Sequence, residues 1–373
     1  MNSILTSSYI TQIKQQKRKA MPHKILKKMI IKPKEKISTL IKKYKETVEE
    51  YANDPFISRI NIPIIKDIEE HGPKELQDSV EKLRVYLEVE NKHIFDENKI
   101  TLFAAYNEIL SIKNLLDKGL DVHKIKEKKG VQTPDFCLKI FKNDFYLELK
   151  TQTFADHLEN FPKMIESSLD AKADEDRQMK SGEKIIVSEY SINPYNTEYG
   201  AYTYEAATLL IDRINNQIKT GQIEFKDKNY SFLIVDLRLL GPICTKEEFL
   251  NPNFKQKDER TKQYYELSNQ LWITALGKIG EIIKLKKPDN WYPIREPLWE
   301  EKTLDKNGIL RDYPKLKGLL FQIESLSNTN FTYIGYSIYN DAKTKMAMDA
   351  ICEDYLIYSL KKECIIFKKS AAE

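Results

Sequence analysis

Apolar residues recur at helical spacing over 101–116, where Leu102, Ala105, Tyr106, Ile109, Ile112 and Leu116 share a face and Gly119 follows as a stop. The period then changes. Short runs rich in β-formers at 122–126, 136–141 and 145–151 precede an amphipathic helix over 204–218 and a further run at 232–237. The order helix, three strands, helix, strand predicts a mixed α/β layer. Upstream, Ile25, Leu26, Met29 and Ile30, then Ile37, Leu40, Ile41, Tyr44 and Val48, recur at helical spacing, predicting basic amphipathic helices broken near Pro33. The stretch 49–95 reads as polar and mostly helical, interrupted at Pro55, Pro63 and Pro73. The last third shows a helical run over 271–285 and strand-like runs over 318–324 and 331–339. Three regions result: a helical N-terminal region (1–95), an α/β core (96–240) and an α+β C-terminal extension (241–373).

Composition narrows the class. With 41% apolar residues, only 12 Gly and 14 Pro, the chain can bury a core and is neither disordered nor low-complexity. Its longest near-spanning apolar stretch, 232–244, is broken by Asp236 and Arg238, whereas a membrane helix needs about 20 apolar residues. Lys14, Lys17, Arg18 and Lys19 follow the short N-terminal apolar stretch rather than precede it, unlike a secretory signal. A cytoplasmic protein with no membrane partner is therefore expected. The four cysteines (137, 244, 352, 364) form no CxxC, and the five histidines show no i, i+4 pair, so disulfide scaffolds, zinc sites and His-based catalysis are disfavoured. Gly277-Lys278-Ile279-Gly280 is too short for a phosphate loop.

Charge is unevenly spread. Residues 1–48 hold 13 Lys or Arg and two acids, a net of +11, and the other 325 residues carry −7. Such a segment is an electrostatic footprint for a polyanion, most simply nucleic acid; a solvated lysine-rich tail is the plainer alternative.

The chemistry concentrates in 133–152. A two-residue turn at Asn143-Asp144, residue types tolerant of positive φ, pairs 141 with 146, 139 with 148 and 137 with 150. One hairpin face then collects Phe136, Leu138, Ile140, Phe145, Leu147 and Leu149, and the other Asp135, Cys137, Lys139, Tyr146, Glu148, Lys150 and Gln152. Two carboxylates and a lysine share the polar face. Carboxylate oxygens suit Mg²⁺, which takes one or two protein carboxylates and keeps other positions for water and phosphate. A metal there neutralises phosphate charge and acidifies bound water, while Lys150 can orient the water and stabilise developing charge.

Pro134-Asp135 followed by Glu148-Leu149-Lys150 resembles the signature of the PD-(D/E)XK nuclease superfamily, the restriction-endonuclease-like fold. The likeness covers about 100–240, and its αβββαβ core with a mixed sheet matches the element order above. It implies Mg²⁺-dependent hydrolysis of DNA phosphodiesters, with Mn²⁺ substituting, leaving a 5′-phosphate and a 3′-hydroxyl. It also implies Asp135, Glu148, Lys150 and Glu108, an acid on the first core helix, as catalytic residues, with Asp135, Glu148 and Glu108 as metal ligands. A restriction or defence endonuclease is the commonest setting for such a chain. RNA cleavage by the same site, or nucleic-acid binding without turnover, are the rival readings, and a homodimer is left open. Acid-x-Lys triplets alone carry little information: 56 acids and the many lysines give about eight by chance. Pro288-Asp289 with Glu300-Glu301-Lys302 is a competing match, but its proline-bearing surroundings read as a loop. Gln152 extends the active face by one alternation, and Arg213, Gln217 and Lys219 on the second core helix are candidate substrate contacts. The charged insert 152–200 reads as a flap or a surface excursion.

Overall fold

The computed structural model describes residues 34–49, 59–88, 97–126, 129–152, 170–171, 173–182, 204–224, 230–238, 254–257, 264–267, 270–286, 299–324, 331–359 and 364–369. The N-terminal helices are α1 (Ile37–Glu49), α2 (Ile62–His71), α3 (Lys74–Lys82) and α4 (Arg84–Leu87). Ile37, Ile41 and Tyr44 of α1 are buried, as their spacing predicts. Pro63 and Pro73 start helices rather than interrupt them, and Pro55 lies outside the described residues. Pro63 lies in the first turn of α2, where the absent N–H costs nothing, and Pro73 caps α3. The Asn61 side chain completes the α2 cap by accepting the Ile64 N–H at 3.2 Å.

The central elements follow in the expected order: α5 (Glu97–Asp117), β1 (Asp121–Lys124), β2 (Phe136–Ile140), β3 (Asn143–Thr151), α6 (Tyr204–Gln217), the short α7 (Thr220–Ile223) and β4 (Ser231–Asp236). Beyond them lie β5 (Phe254–Lys257), β6 (Tyr264–Leu267), α8 (Gln270–Leu276), β7 (Ile282–Lys286), β8 (Trp299–Thr303), α9 (Ile309–Asp312), β9 (Gly318–Glu324), β10 (Phe331–Ser337), α10 (Ala342–Ile351), β11 (Asp354–Ser359) and β12 (Cys364–Lys369). Eight strands form one mixed sheet in the order β1-β2-β3-β4-β9-β10-β11-β12, and β6-β5-β7-β8 make a second, antiparallel sheet. Because β4 pairs in parallel with β9, the sheet continues from the 96–240 segment into the C-terminal third. The crossover from β3 through α6 to the parallel neighbour β4 buries both faces of β3.

Each face of the large sheet carries its own core. Leu147 and Leu149 of β3, Phe232 and Ile234 of β4, and Leu320 of β9 pack under α5 and the N-terminal helices. Leu233, Val235, Leu319 and Phe321 point the other way, into a core completed by α6, α8 and α9. Strand alternation assigns Glu148, Lys150 and Gln152 to this second face. Among the described residues no helix is long and apolar enough to cross a membrane, and Cys137 and Cys352 are free thiols.

Three expectations need correction. The helical run over 271–285 is helical only to Leu276; Gly277 follows, Gly280 adopts φ +84°, and 282–286 is strand β7. Glu300-Glu301-Lys302 is not a loop but part of β8, paired with β7; its partners Pro288 and Asp289 lie outside the described residues. Third, the β2–β3 turn is not at Asn143-Asp144. Ile140 pairs with Asn143, Leu138 with Phe145 and Phe136 with Leu147, so the turn falls on Phe141-Lys142. A two-residue turn needs a left-handed residue, and Phe141 takes φ +53° with its side chain 89% exposed.

Candidate active site

The corrected register leaves every residue on its predicted face, because each strand slips by an even number of positions. It also changes who meets whom. Extending the observed pairing one residue past β2 sets Asp135 opposite Glu148, where the Asn143-Asp144 turn would have set Lys139 there. The Asp135 Oδ2 accepts the Leu149 N–H at 2.8 Å, and its carbonyl oxygen accepts the Ile125 N–H at 2.9 Å, locking the residue between β1 and β3. Glu148 is 2% exposed; its Oε1 receives the Lys150 ammonium, and its buried Oε2 has no hydrogen-bond partner among the described residues.

Glu108, on α5, is ion-paired with Lys124 of β1. Its charge still reaches Asp135: burial first, then the neighbouring Glu108, push the Asp135 carboxyl up to about 6. Burial and the charge of Asp135 push Glu148 up to about 7, against the pull of Lys150. With every group ionised, three carboxylates would face two ammoniums, a formal local net of −1 among partly desolvated side chains.

This donor set fits a hard divalent cation: hard oxygen donors, a deficit of positive charge, and one carboxylate oxygen that accepts from no described residue. Asp135 and Glu148 are the residues that would hold it. Glu108, expected as a third ligand, is turned to Lys124, and among the described residues no three His, Cys, Asp or Glu side chains come together closely enough to enclose a metal. Two carboxylates suffice for Mg²⁺, which keeps several waters.

Of the softer candidates, Gln152 and Gln217 meet: the fully buried Gln152 donates from Nε2 to the Gln217 Oε1 at 2.8 Å, tying β3 to the end of α6. Arg213 sits one turn earlier on α6. Lys219 is not on that helix; it precedes α7 as its N-cap. Two contributors escape sequence reasoning. Lys124, which pairs Glu108, reads from the sequence as an ordinary strand lysine. Gln222, on a four-residue helix with no periodic signal, accepts from the Lys150 Nζ and donates to the Thr133 carbonyl, both at 3.4 Å. The competing triplet is a surface feature, with Lys302 paired to Glu205 and lying over the Tyr204 ring. Most of the basic segment (1–33) and most of the 152–200 insert lie outside the described residues. The lysines of α1 and its approach are spent on the chain's own acids: Lys34 on Glu81, Lys36 on Glu70 at 2.7 Å and Lys43 on Glu35 at 2.5 Å.

No protein-family model, curated protein or solved structure matches this chain.

Proposed function

We propose that the chain is a metal-dependent phosphodiesterase of the PD-(D/E)XK type, acting on nucleic acid, with DNA the first substrate to test. The observation that carries this reading is the adjacency of Asp135 and Glu148 across the β2–β3 hairpin, with Lys150 on the same face and one Glu148 oxygen unpartnered. A bound divalent cation supplies phosphate neutralisation and a more acidic water. Asp135, fixed by the Leu149 amide, holds one carboxylate in place for it, and Glu148 offers its open oxygen. Lys150 keeps its ammonium oriented through Glu148 and Gln222, so a donor stands ready for phosphate oxygens as negative charge builds on them. Water adds its hydroxyl to phosphorus, the bond to the 3′ oxygen breaks, and that oxygen leaves as a hydroxyl.

The test is cleavage of plasmid DNA, and separately of RNA, by the purified chain with Mg²⁺ or Mn²⁺. Asp135→Ala, Glu148→Ala and Lys150→Ala should each lower the rate by several orders of magnitude while the variants stay folded, and EDTA should abolish cleavage. Changing Glu300 or Lys302 should do little. Cleavage undiminished in excess EDTA, or by all three variants, would remove the assignment. RNA cleavage without DNA cleavage would change the substrate and keep the site.

A further inference from the structure

A cleft of about 360 Å³ opens between α3 and the end of β1, lined by Lys82, Lys124 and Lys126 with Glu75 and Asp78. Of its acids, Asp78 pairs with Lys74 at 2.7 Å, and Glu75 lies 3.9 Å from the His123 ring. Lys82 and Lys126 are exposed and make no ion pair with a described residue, so cationic charge is left over in the cleft. The cleft shares a wall with the carboxylate site. Lys124 joins Glu108, and Ile125, between the two lysines, donates its N–H to the Asp135 carbonyl. A third observation concerns where the basic segment enters. Lys34 is paired to Glu81, the neighbour of Lys82, and residues 1–33 attached before it hold eight Lys or Arg and no acid.

We infer that this cleft binds a backbone phosphate of the nucleic-acid strand, through Lys82 and Lys126, beside the phosphate presented to Asp135 and Glu148. This rests on the phosphodiesterase reading and adds to it the contact that sets the strand's position. Such a contact is sequence-independent, because phosphates carry no base information. Neutralising that one phosphate on a duplex contributes about 0.9 to the log–log salt slope.

The experiment measures binding of a fluorescein-labelled 20-base-pair DNA duplex to the full chain by anisotropy in EDTA, across a salt series. Cleavage of the same duplex at saturating protein with Mg²⁺ is followed alongside. The double variant Lys82→Ala/Lys126→Ala should bind about tenfold more weakly, with a log–log salt slope shallower by about 0.9, while Lys302→Ala binds as wild type. Lys82→Arg/Lys126→Arg should restore the slope. Cleavage at saturation should persist in the alanine variant, since neither lysine touches the carboxylates. An unchanged affinity and slope in the folded alanine variant, with cleavage intact, would overturn the cleft and leave the phosphodiesterase standing. Weakened binding with no cleavage by any form would keep the cleft and overturn the enzyme. Wild-type protein that neither binds nor cleaves would overturn both. Protection from thermal unfolding by inorganic phosphate alone, lost in the alanine variant while duplex affinity is unchanged, would assign the cleft to a free anion instead and likewise overturn it as a strand contact.

Discussion

Glu148 and Asp135 are destabilising when ionised, and the sign is fixed by their environment. Their carboxyls have ordinary values of 4.5 and 3.8 and sit at about 7 and about 6 in the folded chain. The folded state therefore holds protons that the unfolded state has released, and stability falls as pH rises from about 4 through 7. Glu148→Gln keeps an oxygen for Lys150 and removes the charge. In EDTA at pH 8 it should stabilise the protein by about 2 kcal/mol and flatten the pH dependence of the urea midpoint between pH 5 and 8. Equal slopes for wild type and variant would show that burial does not hold these carboxyls up. Mg²⁺ should narrow the gap by stabilising only the wild type. Phe141 is a second residue whose chemistry and conformation conflict. A bulky side chain at φ +53°, 89% exposed, gains nothing from packing and bears the left-handed cost. Phe141→Asn should raise stability by about 1 kcal/mol in chemical unfolding without altering the site, which lies at the other end of the hairpin.

The β2–β3 hairpin holds the central lesson at the scale of elements. Both registers satisfy the alternation of apolar and polar positions, so pattern alone cannot choose between them. β2 is pinned on its other edge by β1, with Asp121 opposite Lys139 and Lys124 opposite Phe136, and β3 is pinned by β4 from Tyr146 to Thr151. These non-local ladders outweigh the local turn preference of Asn143-Asp144. The junction between α8 and α9 shows a similar dependence on close approach. Gly308 caps α9 and donates to the Gly277 carbonyl at 2.8 Å, and a Cβ there would lie 2.5–2.7 Å from backbone atoms of Ala275 and Leu276. Backbone cannot yield as a flexible side chain can. Gly308→Ala should cost about 2 kcal/mol or more, read as a lowered unfolding midpoint. A midpoint within error of wild type would mean that the two helices can separate freely.

For the molecule as a whole, the two cores meet a buried charge network at the end of β4. Arg238 binds Asp236 twice, through Nε to Oδ1 at 2.9 Å and Nη2 to Oδ2 at 2.7 Å, both side chains being almost fully buried. Its side chain also donates to Asn107 on α5, and its main-chain carbonyl accepts from Arg59, so one residue links the sheet, α5 and the N-terminal region. Removing one member of such a pair leaves the other charged and unpaired. Arg238→Met should destabilise by about 3–5 kcal/mol in chemical unfolding, and Asp236→Asn/Arg238→Met should recover part of that loss. A double variant no better than the single would place the cost in lost packing rather than in the orphaned carboxylate.

The alternation at 135–152 was enough to bring Asp135, Glu148 and Lys150 onto one face, since side-chain direction depends only on parity along a strand. Helical spacing likewise placed α1 and α6, whose buried stripes repeat every three or four residues, and located α5, which is buried around more of its circumference. What folding alone decided were relations between distant segments. The register that sets Asp135 against Glu148, the pairing of Lys124 with Glu108 and the arrival of Gln222 at Lys150 all join residues through strand ladders or a short unperiodic helix. The same holds for charge: a lysine-rich run reads as a uniform positive segment, yet Lys34, Lys36 and Lys43 are neutralised by acids that only tertiary packing brings near, while Lys82 and Lys126 are left facing a cleft. Local periodicity is written into neighbouring residues, whereas pairing across the fold depends on the summed energy of ladders and cores that no short window contains.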